Sequence, residues 1–237
     1  MTAAIAVEGL RKRFGGLTAL DGVDLAAQPA EVLGIIGVNG AGKTTLMNCI
    51  CGIYRADEGR VLIGGRDMTG LPPHEIARAG VGRTFQIPRV FGKMSLIDNL
   101  LVPVLGRDAS DRLLIEQAEA MLERMRLVDL RHNFAEELSG GQQKLLEMAR
   151  MLMPSPKVVM LDEPFAGVHP TLCRFMIDQI EVMAAEGNAV LLISHDLTSI
   201  YRLSNRVVAL NAGRVIAEGS VGEIRGNPAV VEAYLGA

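Results

Sequence analysis

Four short runs of apolar, mostly branched residues constrain this chain more than any other feature: Val32 to Gly37 (VLGIIG), Val158 to Asp162 (VVMLD), Ala189 to Ser194 (AVLLIS) and Val207 to Asn211 (VVALN). They are too continuous to be strands with one face in water. Such strands belong inside a parallel sheet covered by helices on both sides, and helical patterns do alternate with them. The fold class expected is therefore α/β with a mainly parallel sheet. At 237 residues the chain has room for one lobed domain and not for two average ones. Ile5 to Phe14 and Gly59 to Ile63 suggest an added antiparallel β part near the N-terminus.

Residues 89–152 are different in kind. They hold no convincing β run, and Leu114, Ala118, Met121 and Met125 recur as one face of a helix. The polar stretch Gly106 to Asp111 (GRDASD) reads as a loop that caps it. The simplest organisation is a helical subdomain at about 89–152 inserted into a core formed by about 1–88 and 153–237. Beyond Pro170, Met176, Ile180, Met183 and Ala184 mark another helix, and Asn227-Pro228 opens a last short one.

Composition removes several classes of function. Lys plus Arg (24) do not exceed Asp plus Glu (27), so the basic surplus that phosphate-backbone binding requires is missing and no nucleic-acid partner is expected. Cys49, Cys51 and Cys173 form no CxxC and lack a histidine at metal-ligand spacing, so they read as buried thiols in a reducing compartment. No apolar run approaches the roughly 18–20 residues that span a bilayer. In MTAAIAVEGLRKRF the basic residues follow the apolar ones, unlike a secretion signal. The expected location is the cytoplasm, with any membrane role supplied by a partner.

The chemistry begins at Gly37 to Thr44, G-V-N-G-A-G-K-T, between an apolar strand and a helical run. That is a phosphate-binding loop in the context it requires. Gly37, Val38, Asn39, Gly40, Ala41 and Gly42 let successive N–H groups face phosphate oxygens, and the helix adds its positive end. Lys43 would reach the β and γ phosphates of a nucleoside triphosphate, Thr44 would offer its hydroxyl to Mg²⁺, and Thr45 would support the α-phosphate side. The run Val158 to Pro164 ends a strand in two acids. Asp162 would hold Mg²⁺, while Glu163 would polarise the attacking water as general base.

Leu138 to Gln142, L-S-G-G-Q, precedes these acids at the start of a helical run. Ser139 and the N–H groups of Gly140 and Gly141 there form a second anion site, with Gln142 closing the segment. This segment resembles the signature of the ATP-binding-cassette (ABC) ATPases, a resemblance that covers essentially the whole chain. It implies a P-loop NTPase (RecA-like) core, ATP and Mg²⁺ as ligands, and two cassettes packed head to tail so that each nucleotide lies between the phosphate loop of one and the signature of the other. By the same resemblance Gln86 (in RTFQ) is the loop glutamine that senses Mg²⁺ and the γ-phosphate, and His195 (in ISHD) is the histidine that contacts the γ-phosphate and the water. Phe14 (in RFGG) is the aromatic that stacks on adenine. One departure stands out: the family usually carries Asp in the loop after the carboxylates, where this chain has His169 before Pro170. A histidine there is expected to cap the next helix.

FGGLTALDGVDL, RTFQIPRVFGKMSLIDNLLV, LSGGQQKLLEMARML and AEGSVGEIRGNPAVVEAYLGA look like the ATP-binding subunit of branched-chain amino acid importers. What this implies is an ATPase motor, a homodimer or heterodimer of cassettes, transmembrane permease subunits, and a periplasmic or extracellular binding protein. The chain would sit on the inner face of the membrane through the permease. Urea, amide and lipopolysaccharide-export systems share these features in part, and a soluble cassette ATPase acting as an assembly scaffold, or a phosphotransferase, are the competing classes.

Overall fold

A computed structural model describes residues 2–235 of the chain. An antiparallel sheet is built from β1 (Ile5–Phe14), β2 (Leu17–Ala27), β4 (Glu58–Ile63) and the two-residue β5 (Arg66–Asp67), in the order β2-β1-β4-β5. The central sheet has six strands: β3 (Val32–Ile36), β6 (Val81–Arg83), β7 (Val158–Asp162), β8 (Ala189–Ile193), β9 (Arg206–Asn211) and β10 (Arg214–Gly219). Their order is β10-β9-β3-β8-β7-β6, parallel throughout except for the antiparallel β9–β10 edge.

The apolar runs are explained by what lies on each side of this sheet. Along β7, Val158 and Met160 enter one core with the antiparallel sheet and α1 (Lys43–Ile50), whereas Val159 and Leu161 enter a second core with the helices of the opposite face. All five residues of β3, β7 and β8 are buried, as expected of strands with no solvent face. The sheet strands end one residue sooner than the apolar runs at Ile36 and Ile193, because Gly37 and Ser194 already turn out of the sheet.

Between β6 and β7 the chain makes no strand, only an isolated bridge from Ser95 to Phe134. Here lie α3 (Leu96–Leu101), α4 (Asp111–Arg124) and α5 (Gly140–Leu152); the earlier short helix α2 (Pro73–Arg78) precedes β6. Ser110 caps α4, its hydroxyl accepting from the N–H of Leu113 at 3.3 Å. The buried face of α4 is Leu114, Ala118 and Leu122 with Met125 at the end, and Met121 is only half-buried. Both spacings satisfy a helical period, and packing on α3 and α5 selects the first. After β7 come α6 (Pro170–Ala185), α7 (Leu197–Leu203), α8 (Val221–Arg225) and α9 (Pro228–Leu235). Cys49 and Cys51 are buried, but Cys173, near the exposed start of α6, keeps part of its surface in solvent.

Candidate active site

The site starts where β3 leaves the sheet. Gly42 takes a φ of 105°, and a Cβ there would lie 2.6 Å from the carbonyl oxygen of Ala19; at Gly37 it would lie 2.4 Å from that of Leu210. Crowding and backbone conformation both demand glycine. No side chain caps α1, so its leading N–H groups stay available to an anion. The Lys43 ammonium curls beneath the loop and donates to the carbonyls of Gly37 (2.6 Å) and Val38 (3.1 Å). Burial pushes its pKa down, while the nearby charges of Glu163 and Asp162 oppose the shift.

A cleft of about 500 Å³ opens over this loop, lined by Phe14, Asn39, Gly40, Ala41, Gly42, Lys43, Thr44, Thr45, Gln86, Asp162 and Glu163. The sequence did not single out Leu17, Thr18, Ala19, Ile193 and Ala212, which complete the wall. Phe14 is 42% exposed, so it is no core residue; its ring meets Tyr54 edge-on with centroids 5.2 Å apart. Gly37 and Val38 do not line the cleft; their carbonyls accept from Lys43, which does.

The two acids differ in environment. Asp162 is buried, and its carboxylate accepts from the Arg83 guanidinium at 3.2 Å. Burial raises its pKa in spite of Arg83. Glu163 adopts a φ of 51°, a left-handed conformation that non-glycine residues seldom hold without support. Its N–H donates to the carbonyl of Ile193 at 2.9 Å. Its carboxylate accepts from the His195 N–H at 3.2 Å and lies 2.7 Å from His195 Nδ1. His195 thus reaches the cleft rim through Glu163 and is otherwise largely exposed.

Among the described residues no cluster of three or more His, Cys, Asp or Glu side chains could hold a metal ion. Thr44, Gln86 and Asp162 offer oxygen donors with a single carboxylate. That set suits a hard divalent ion such as Mg²⁺, which keeps waters and takes phosphate oxygens for the rest of its shell.

Ser139, Gly140, Gly141 and Gln142 do not line this cleft. Ser139 is the N-cap of α5 in a capping box: its hydroxyl accepts from the Gln142 N–H (3.4 Å), and the Gln142 side chain accepts from the Ser139 N–H (3.0 Å). Ser139 and Gly140 are exposed. His169 caps α6, its Nδ1 accepting from the Thr171 N–H at 3.3 Å with Pro170 in the first turn.

Four more side chains near the site escaped the sequence reading. Arg83 has been described. Lys144 and Glu147 reach the loops behind the cleft from α5, and charge on the apolar face of a helical run was the signal that could have found them. Tyr234, on α9, accepts a hydrogen bond from the Gly37 N–H at 3.0 Å across 197 positions, for which no local signal exists.

The ABC transporter family matches residues 20–166, and a family described as branched-chain amino acid ATP-binding cassette transporter matches residues 214–237. A probable branched-chain amino acid transport ATP-binding protein, LivG, of Archaeoglobus fulgidus is 41% identical over 97% of this chain and 94% of its own length. The high-affinity branched-chain amino acid transport ATP-binding protein LivG of Escherichia coli K12 is 38% identical over 98% and 97%. The structure of MJ1267, an ATP-binding cassette of an ABC transporter in its ADP conformation, superposes with a TM-score of 0.89 at 35% identity and covers both chains fully.

Proposed function

Because this chain belongs to the ABC transporter family, we propose that it is the ATPase motor of a membrane importer for branched-chain or related amino acids, working as a pair of cassettes that close on two ATP molecules. The observation that carries the reading is the split between a cleft holding phosphate loop, Gln86 and both acids, and a capped, exposed Ser139 outside it. A second anion site facing solvent calls for a second copy, or a related cassette, to bring a nucleotide to it.

The residues divide the work as follows. Amides of Asn39 to Thr45 and the Lys43 ammonium bind the phosphates, and Phe14 receives the adenine. Thr44, Asp162 and Gln86 would hold Mg²⁺, which when bound neutralises charge building on the phosphate oxygens. Glu163 takes a proton from the attacking water, and His195 Nδ1, 2.7 Å away, holds that carboxylate in place at the γ-phosphate side. The segment after Gln86 exposes Ile87 and Phe91 beside Arg89 and Lys93, a surface suited to a permease helix. No helix among the described residues is long and apolar enough to cross a membrane, so attachment to the inner membrane face would run through that surface.

Glu163→Gln tests the reading. The variant should retain ATP, hydrolyse it about 10²- to 10⁴-fold more slowly, and double in mass by light scattering when ATP is added. Hydrolysis at the unaltered rate, or an ATP-loaded form that stays single even with its permease, would refute it.

A further inference from the structure

Besides the Arg83–Asp162 pair, Lys144 and Glu147 are the charged residues that are buried among the described ones. Both lie on α5, one turn apart, among Leu145, Leu146, Met148 and Ala149. Burying an ion in such company is costly unless its hydrogen bonds are met. These two do not meet each other, since no ion pair joins them; each is spent on backbone. Lys144 Nζ donates to the carbonyl of Glu163 at 3.0 Å and to that of Pro164 at 3.1 Å. The Glu147 carboxylate accepts from the N–H of Phe85 at 3.2 Å with one oxygen and from the N–H of Arg89 at 2.8 Å with the other.

The targets matter more than the count. Lys144 grips the turn in which Glu163 holds its left-handed conformation, and it takes the carbonyl of that very residue. Glu147 ties down the chain on either side of Gln86, so the arc Gln86 to Pro88, exposed at Gln86 and Ile87, is anchored at both ends. Arg150, a further turn along α5, donates to the carbonyl of Arg89 and lies over the Phe91 ring at 4.9 Å. A helix that needed only to pack on the sheet would place apolar side chains at positions 144 and 147. Burial pushes the Lys144 pKa down against the charges of Glu147 and Glu163, and that of Glu147 up against the hydrogen bonds from the Arg89 and Phe85 amides.

We infer that Lys144 and Glu147 are positioning residues of the ATPase reaction, through which α5 sets the placement of Glu163 and of Gln86 while its own N-terminus carries Ser139. One helix then ties the solvent-facing anion site to both loops of the cleft behind it. A shift of α5 that seats Ser139 on a nucleotide moves the general base and the sensing glutamine together. This rests on the hydrolytic roles given above to Glu163 and Gln86.

The experiment uses the full chain and ATP. Lys144→Met keeps the volume and removes the two donations; Glu147→Gln is isosteric and keeps one acceptor. Steady-state hydrolysis is measured together with ATP binding stoichiometry and amide exchange. For Lys144→Met, kcat per ATP-binding site should fall by about 10- to 100-fold while ATP affinity stays within about twofold, and Lys144→Arg should restore part of it. For Glu147→Gln, kcat should fall and exchange at the Phe85 or Arg89 amide should quicken, with the Gly40 to Lys43 amides unmoved. A purely structural role predicts fewer competent sites with unchanged kcat at each, and that result overturns the inference. If Lys144→Met does not fold, Glu147→Gln decides on its own: unaltered kcat per site and unaltered exchange at both amides refute the inference. Should the unsubstituted chain fail to hydrolyse ATP, the proposed function falls instead, so the two failures are distinct.

Discussion

Replacing Arg83 by Met removes one half of a buried ion pair. The guanidinium and the Asp162 carboxylate are 3.2 Å apart, each side chain 6% exposed. Arg83 also donates to Asn48 Oδ1 at 2.7 Å. Leaving a buried carboxylate alone costs about 3–5 kcal/mol. Against this, Arg83 Nε has no partner, and losing that unmet donor returns about 1 kcal/mol, for a net loss of about 2–4 kcal/mol. For a chain of this length the melting temperature should drop by about 4–16 °C.

The deficit must depend on pH in a set direction. Burial holds the Asp162 carboxyl above its ordinary value of 3.8, so the folded state binds the proton more tightly than the unfolded chain. Ionised Asp162 therefore lowers stability fully above its folded pKa, and that loss fades as pH falls toward the unfolded value. Without Arg83 the folded pKa rises further, which adds a stretch of pH where only the variant loses stability. Chemical denaturation of both forms at pH 8, 7, 6 and 5 measures the difference; it should be largest at pH 8 and shrink toward pH 5. The buried Cys51 thiol, which Arg83 also touches, is pushed up by burial and stays protonated over this range. A deficit below about 1 kcal/mol, a deficit flat in pH, or a double variant Arg83→Met/Asp162→Asn no more stable than Arg83→Met would refute the reasoning.

Two further outcomes are expected. Lys43→Ala removes the half-buried ammonium under the loop and should weaken ATP binding about 10- to 100-fold by fluorescence titration, and unchanged affinity would count against the phosphate-loop role. Tyr234→Phe keeps the ring but loses the acceptor for the Gly37 N–H, so the Gly37 amide resonance should move and stability should fall by about 0.5–1.5 kcal/mol; an unmoved resonance would place the phenol elsewhere in solution.

What the sequence revealed of the fold tracks two-sided burial. β3, β7, β8 and β9 were legible because a strand covered on both faces leaves an unbroken apolar run. β6 has only three residues, with glycine in the middle, too little for any pattern. β10, at the sheet edge, is mostly half-buried, which blurs its signal. The choice of Leu122 over Met121 on α4 could not be made from spacing, since steps of three and four both stay on one helical face.

The site was legible for a topological reason. Gly37 follows β3, Gln86 follows β6, Glu163 follows β7 and His195 follows β8, so each chemical group stands just past the C-terminal end of a parallel strand, where open α/β sheets gather their ligands. A short motif marks each such end, and the motifs can be read one at a time. Their neighbours in space cannot. The order β3-β8-β7-β6 places the strand bearing His195 between those of the phosphate loop and Glu163, and this is why His195 meets Glu163 although 32 positions separate them. Tyr234, Lys144 and Glu147 act from helices, away from strand ends. Only the folded chain brings their side chains to the loops, and only there does a buried charge or a lone phenol acquire a reason.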